Sequence, residues 1–121
     1  MRNLTKTEIE EIEYYMSLPP DSLLIFIGQT VVEQHEGVQF SDEYLKNEGD
    51  SWLSKYKKRI KSEICVKWDF CEKLKSETYK DNVTLIASIG DVIAGILIGV
   101  PPFVVSTLLV KSSLTKLCGC S

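Results

Sequence analysis

Four cysteines carry the most distinctive chemistry in this chain of 121 residues. Cys65 and Cys71 stand six positions apart, and Cys118 and Cys120 form a CGC motif. Four thiolates are enough for a structural zinc site, but a spacing of six puts two cysteines on different faces of a helix, and CxC is not the usual zinc knuckle. A CGC motif beside a membrane could instead be S-acylated. Because the N-terminus has no apolar run typical of a secretion signal, we expect a reducing compartment, free thiols and no metal or cofactor.

A basic run, KYKKRIK, could bind an anionic partner such as lipid headgroups or RNA. Residues 1–50 hold 11 acidic and 3 basic residues, residues 51–80 hold 4 and 9, and residues 81–121 hold 2 of each. The run is therefore the centre of a basic middle segment that follows an acidic one. The simpler interpretation is a solvated helix face that lies opposite the acidic N-terminal helix, and the net charge of −3 gives no support to a nucleic-acid partner. The five cations are Lys55, Lys57, Lys58, Arg59 and Lys61.

Asp91 is the only charged residue in the apolar stretch 83–110. On a helix it would share one stripe with Ser88, Gly95 and Gly99, and such small residues let another helix backbone approach closely. The stripe predicts an interaction face, with Asp91 at a subunit contact or in a water-lined pore. The competing interpretation is that the stripe packs on the following helix of the same chain or faces water.

The chain offers little else that could do catalytic chemistry. His35 is the only histidine, and we expect it to be solvated in a loop. The sequence has no phosphate-binding GxxxxGK[ST] loop, no GxGxxG fingerprint, no HExxH motif and no GxSxG elbow. We therefore expect a protein that is not an enzyme, and no small-molecule substrate is implied.

The elements that position these residues are predicted to be helices. A capping box at Thr5 or Thr7 starts a first helix, which must end before Pro19 and Pro20. The apolar stretch after Pro20 predicts a buried helix, with a β-hairpin turning at Gly28 as the alternative. Further on, apolar residues recur every three or four positions over 51–76 and predict one long basic amphipathic helix. They are Leu53, Tyr56, Ile60, Ile64, Trp68, Cys71 and Leu74.

Two adjacent prolines decide how the apolar stretch folds. Pro101 and Pro102 interrupt it, so we predict one helix over 82–99 and a second over 102–117, paired as an apolar hairpin. The uncharged segment 92–110 has 19 residues and just reaches spanning length, but its prolines and glycines would break the backbone within the bilayer. A buried hairpin is therefore favoured over a membrane-inserted one.

The sequence thus predicts one all-α domain over 1–121, a bundle of about five helices around the central hairpin 82–117. Acidic helices over 1–38 and the basic helix over 51–76 complete it. We expect a cytoplasmic, non-enzymatic interaction or assembly module whose partner is a second copy or another protein. The alternative is a membrane-active protein, toxin-like or similar to a defence effector, whose hairpin 83–110 inserts into a bilayer.

Overall fold

Every regular element in the described part of the chain is helical. The computed structural model describes residues 3–32, 39–112 and 114–120. The predicted all-α class is confirmed, with seven α-helices in these ranges rather than about five. They are α1 (Lys6–Met16), α2 (Pro20–Val31), α3 (Asp42–Lys61), α4 (Phe70–Lys73), α5 (Asn82–Ile96), α6 (Pro102–Lys111) and α7 (Leu114–Cys118). A π-helical segment (Ser62–Lys67) continues α3, and a 3-10 turn (Glu77–Tyr79) precedes α5. That the whole chain is a single domain stays a prediction.

The two N-terminal helices begin where the sequence indicates. Thr5 and Glu8 form a complete capping box, each side chain accepting a hydrogen bond from the other residue's backbone N–H at 3.1 Å. Pro19 is extended and Pro20 opens α2, as expected for proline at a first helical position. The helical interpretation of this stretch is confirmed over the β-hairpin. The predicted loop histidine, His35, lies outside the described residues.

Helices α2 and α3 pack with their backbones in contact. A Cβ atom built on Gly28 would lie 1.9 Å from the carbonyl oxygen of Leu45, and one built on Gly49 would lie 2.1 Å from that of Leu24. Glycine is therefore required at both positions, one on each helix. Sequence reasoning did not identify this pair, because isolated glycines in helical stretches carry no pattern of their own.

The long helix predicted over 51–76 is wrong at both ends. It starts at Asp42, because the Ser41 side chain accepts a hydrogen bond from the backbone N–H of Tyr44 at 3.1 Å and caps it. Beyond Lys61 the backbone widens into the π-helical segment, in which the Trp68 N–H donates to the Glu63 carbonyl at 2.9 Å. Asp69 then adopts the left-handed conformation, with φ of 60°, and ends the element.

The spacing of apolar residues explains the π-helical segment. Three consecutive gaps of four separate Tyr56, Ile60, Ile64 and Trp68. This spacing exceeds the 3.6 residues of an α-helical turn, so the apolar stripe would drift around a regular helix. The wider turns of a π-helix return the stripe towards the core, and Ile60 and Ile64 are both fully buried.

The predicted apolar helices are shorter than expected. Asp81, rather than Asn82, caps α5 by accepting hydrogen bonds from two backbone N–H groups. The helix ends at Ile96 instead of residue 99, because Leu97 is already extended, with φ of −125° and ψ of 127°, and Gly99 then takes a left-handed φ of 86°. The predicted helix 102–117 is likewise divided, because α6 ends at Lys111 and the chain turns at Ser112 before α7.

Helices α5 and α6 pack against each other, α1 contacts both of them, and α2 contacts α6. Ile12 of α1 is buried with Ile86 and Ala87 of α5. The buried hydroxyl of Ser106 donates to the Ile86 carbonyl at 2.6 Å, which joins α6 to α5 through a polar bond. The larger core cluster joins the other elements through Leu23, Ile27, Ile60, Ile64, Phe70, Leu85, Ile89, Ile93, Leu97, Val104, Val105, Leu108, Leu109 and Leu114.

Candidate functional site

The stripe predicted as an interaction face lies largely on the outer surface of α5. Ser88 is half-buried, whereas Asp91, Gly95 and Gly99 are exposed. A Cβ atom built on either glycine would meet no atom within 4 Å, so packing against α6 does not explain them. The close contact between α5 and α6 lies at Gly90 instead, where a built Cβ would come within 2.6 Å of the Phe103 ring.

The turn between α5 and α6 extends this surface with apolar residues. We call residues 94–101 the hairpin tip; its sequence, AGILIGVP, has no polar side chain. Of these eight residues only Leu97 is buried, and Ile98 is 98 % exposed. The other tip residues are exposed or half-buried, so the tip is an apolar surface with Ile98 at its centre that a partner can cover.

The five predicted cations of the basic run are all exposed on α3, and two of them line a cleft. Lys57 and Lys61 line a cleft together with Lys116 of α7, whereas Lys55, Lys58 and Arg59 lie outside that cleft. The ammonium group of Lys55 lies 5.5 Å from the centre of the Tyr56 ring. Helical geometry separates neighbours in sequence by about 100° around the axis, so a dense basic run is divided between faces.

The expectation of free thiols is wrong. Cys65 is bonded to Cys118 and Cys71 to Cys120, with Cα atoms 5.1 Å and 5.3 Å apart. The four sulfurs considered as zinc ligands or acylation sites are therefore bonded to one another, and no cysteine in the described ranges is free. The two bridges fasten α7 and the CGC motif to the π-helical segment and α4.

The local backbone explains why sequence reasoning missed these bridges. It placed Cys65 and Cys71 on one straight helix, where they would point in different directions. In the structure the π-helical segment and left-handed Asp69 separate the two cysteines into different elements. Both then meet the CGC motif across a large sequence separation. The even number of cysteines was the available indication, and it does not specify pairing.

Two further properties of the described ranges bear on function. None of their helices combines the length and the apolar character that crossing a membrane requires. Within the same ranges, no group of three or more His, Cys, Asp or Glu side chains is placed to hold a metal ion. No family model, no curated protein and no solved structure matches the chain.

Proposed function

We propose that the protein is a non-enzymatic helical interaction module whose contact surface is the hairpin tip with the adjoining outer face of α5. The observation that carries this proposal is the exposure of a large apolar side chain at the centre of the hairpin tip. Leu97 enters the core, while Ile98 beside it is 98 % exposed. Covering such a segment removes apolar area from water and favours association.

The chemistry around the tip supports a protein partner over an anionic bilayer. Between residues 82 and 110 the only charged side chain is Asp91, which lies one turn before the tip. Peripheral membrane contacts usually combine apolar side chains with lysine or arginine, which attract anionic headgroups. An exposed carboxylate beside the tip would be repelled by such headgroups.

The simplest form of this proposal is self-association, and it can be tested on the purified chain. We expect light scattering to show a mass above that of one chain and Ile98→Asp to lower it, because a charge would then have to be buried at the contact. Gly95→Leu should weaken assembly by filling the open space on α5. Val66→Asp is the matched control, since Val66 is also exposed, at 72 %, but belongs to the π-helical segment.

Each outcome separates the alternatives. A chain that remains monomeric at all concentrations excludes self-association. Retention on anionic vesicles that Ile98→Asp abolishes would instead favour the membrane-active alternative. Equal effects of Ile98→Asp and Val66→Asp on assembly would show that the hairpin tip is not the contact surface.

The disulfides favour an oxidising environment over the cytoplasmic location expected from the sequence. Structural disulfides persist outside the cytosol, where no thiol-reducing system removes them. Alkylation of the protein in its native source, before any reductant is added, checks this inference. We expect no cysteine to be alkylated, and modification of all four would place the protein in a reducing compartment.

A further inference from the structure

A cleft of about 580 Å³ lies between α3 and the end of the chain, away from the surface proposed above. Leu53, Ile60 and Lys61 of α3 contribute to one wall, and α6 and α7 contribute to the other. The α3 residues that line it are spaced by three or four positions, so they form one face of that helix. The volume falls within the range of small-molecule binding sites.

The interior of the cleft is aliphatic. Its apolar lining consists of one isoleucine and four leucines, of which Ile60, Leu109 and Leu114 are buried and form the floor. No aromatic ring is present among the residues of the described ranges that line the cleft. Flat heteroaromatic ligands are commonly held by stacking on aromatic side chains, and this cleft offers none. A flexible hydrocarbon chain fits such a lining better.

The rim of the cleft is cationic. Lys57, Lys61 and Lys116 line it and are exposed, and Asp50 is the one acidic residue among the described residues of the lining. No ion pair between described residues involves any of the three lysines. Three ammonium groups around an aliphatic interior are complementary to a ligand with a negative head and an apolar tail.

The disulfides hold one wall of the cleft in place. Helix α7 has five residues, too few to be stable by itself. Its last residue, Cys118, is bonded to Cys65 and directly follows Leu117, which lines the cleft. The second bridge, Cys71–Cys120, fixes the chain just beyond. The wall that carries Lys116 therefore depends on covalent attachment to the body of the protein.

From this arrangement we infer that the cleft binds a free long-chain fatty acid. The hydrocarbon chain lies on Ile60, Leu109 and Leu114, and the carboxylate contacts the lysines at the rim. This inference is independent of the proposed interaction surface, because none of the described residues that line the cleft belongs to the hairpin tip or to α5. It extends beyond the sequence analysis, which implied no small-molecule ligand.

The test uses cis-parinaric acid, a fluorescent long-chain fatty acid, titrated into the purified, oxidised protein. We expect saturable binding that Lys57→Glu with Lys116→Glu weakens about tenfold or more, since two attractive charges become repulsive. The control variant, Lys55→Glu with Lys58→Glu, makes the same change of net charge on exposed residues outside the cleft and should bind normally. A long-chain alcohol should compete less well than the corresponding acid.

Two further measurements keep the test decisive if the charge variants fold poorly. Ser54→Trp, at the exposed rim of the cleft, should block binding, whereas Ser51→Trp, outside the cleft, should not. Cys65→Ala with Cys118→Ala, which detaches the end of α7 but leaves the second bridge, should weaken binding of the probe while circular dichroism still reports helix. Absence of saturable binding overturns the inference, as does equal weakening by the cleft and control lysine variants. Binding to anionic phospholipid vesicles without binding of the free acid would also overturn it.

Discussion

The carbonyl oxygen of Leu45 occupies the space in which residue 28 would carry a side chain, and Gly28 is the residue that leaves this space empty. A Cβ atom at this position would lie 1.9 Å from that oxygen. The reciprocal contact at Gly49 means that each of the two helices contributes one glycine to the crossing. The separation of α2 and α3 is therefore set by backbone contact rather than by side-chain size.

Gly28→Ala should destabilise the fold by about 3 kcal/mol, because the methyl group can be placed only by forcing two helix backbones apart. Gly95→Ala is the matched control. It also lies within a helix, but its Cβ would meet nothing within 4 Å. We expect it to stabilise the protein by about 0.5–1 kcal/mol through helix propensity. Denaturant unfolding of both variants at low protein concentration is the measurement, and similar effects would contradict the close crossing.

The two disulfides should stabilise the fold in a non-additive way. Each closes a long loop by itself, with sequence separations of 53 and 49. Once one bridge is present, the other closes only a short ring, because its two cysteines already lie near the first pair. In the chain-entropy account, removing either pair should cost about 2–3 kcal/mol, and removing both should cost about 6–7 kcal/mol.

The measurement compares Cys65→Ala with Cys118→Ala, Cys71→Ala with Cys120→Ala, and all four substitutions together. Removing both partners avoids a lone thiol that could exchange with the remaining bridge. Peptide mapping without reductant should first show the two pairings. If the single-pair losses sum to the loss from all four substitutions, the shared-loop argument is wrong.

Ser106→Ala should cost about 1 kcal/mol of unfolding free energy. The hydroxyl is fully buried and donates to the Ile86 carbonyl at 2.6 Å, so the substitution removes a bond between α5 and α6 and leaves a small void. Ser112→Ala, at an exposed position after α6, is the comparison and should change stability by less than about 0.5 kcal/mol. A neutral Ser106→Ala would show that the buried bond makes no net contribution.

Tyr15 should make stability fall at alkaline pH. Burial, the hydrogen bond to Glu11 and the charge of Glu11 together raise the pKa of Tyr15 from 10.0 to about 12. The phenol donates to the Glu11 carboxylate at 2.9 Å. Because the folded-state pKa is raised, the stabilisation is complete below about pH 10 and is lost as the pH rises to about 12.

Ultraviolet absorbance of the phenolate, followed through an alkaline titration, checks this shift. Glu11→Gln removes the nearby charge and should lower the pKa of Tyr15 towards its ordinary value. Tyr15→Phe should remove the corresponding part of the alkaline destabilisation. If Tyr15 ionises at the same pH in the Glu11→Gln variant, the contact with Glu11 does not set the shift.

Local chemistry made part of the fold predictable from the sequence. The capping box at Thr5 and the prolines at 20 and 102 act within a few residues, and each marks a helix start. Hydrophobic periodicity identified the core face of α3 and of the π-helical segment as far as Ile64, which is fully buried. The predicted helix ends failed after Lys61 and Ile96, where a π-helical segment and the extended residue Leu97 change the course of the backbone.

The remaining features depend on contacts between residues that are distant in sequence. The close approach of α2 and α3 at their two glycines depends on how the two helices are aligned. The disulfides depend on the π-helical segment and the left-handed residue that lie between Cys65 and Cys71. The cleft lysines show the same limit. Lys57 and Lys61 stood out as part of a basic run, but their relation to Lys116 exists only after α7 has been fastened in place.

The order of the bridged cysteines along the chain is 65, 71, 118 and 120, so the two bonds interlace. A protease that cuts anywhere between Cys71 and Cys118, including the exposed hairpin tip, would leave both pieces covalently joined as one molecule. Such cleavage would be invisible as a change of size on a non-reducing gel and would appear only after reductant is added. The protein can therefore carry a severed backbone without losing either fragment.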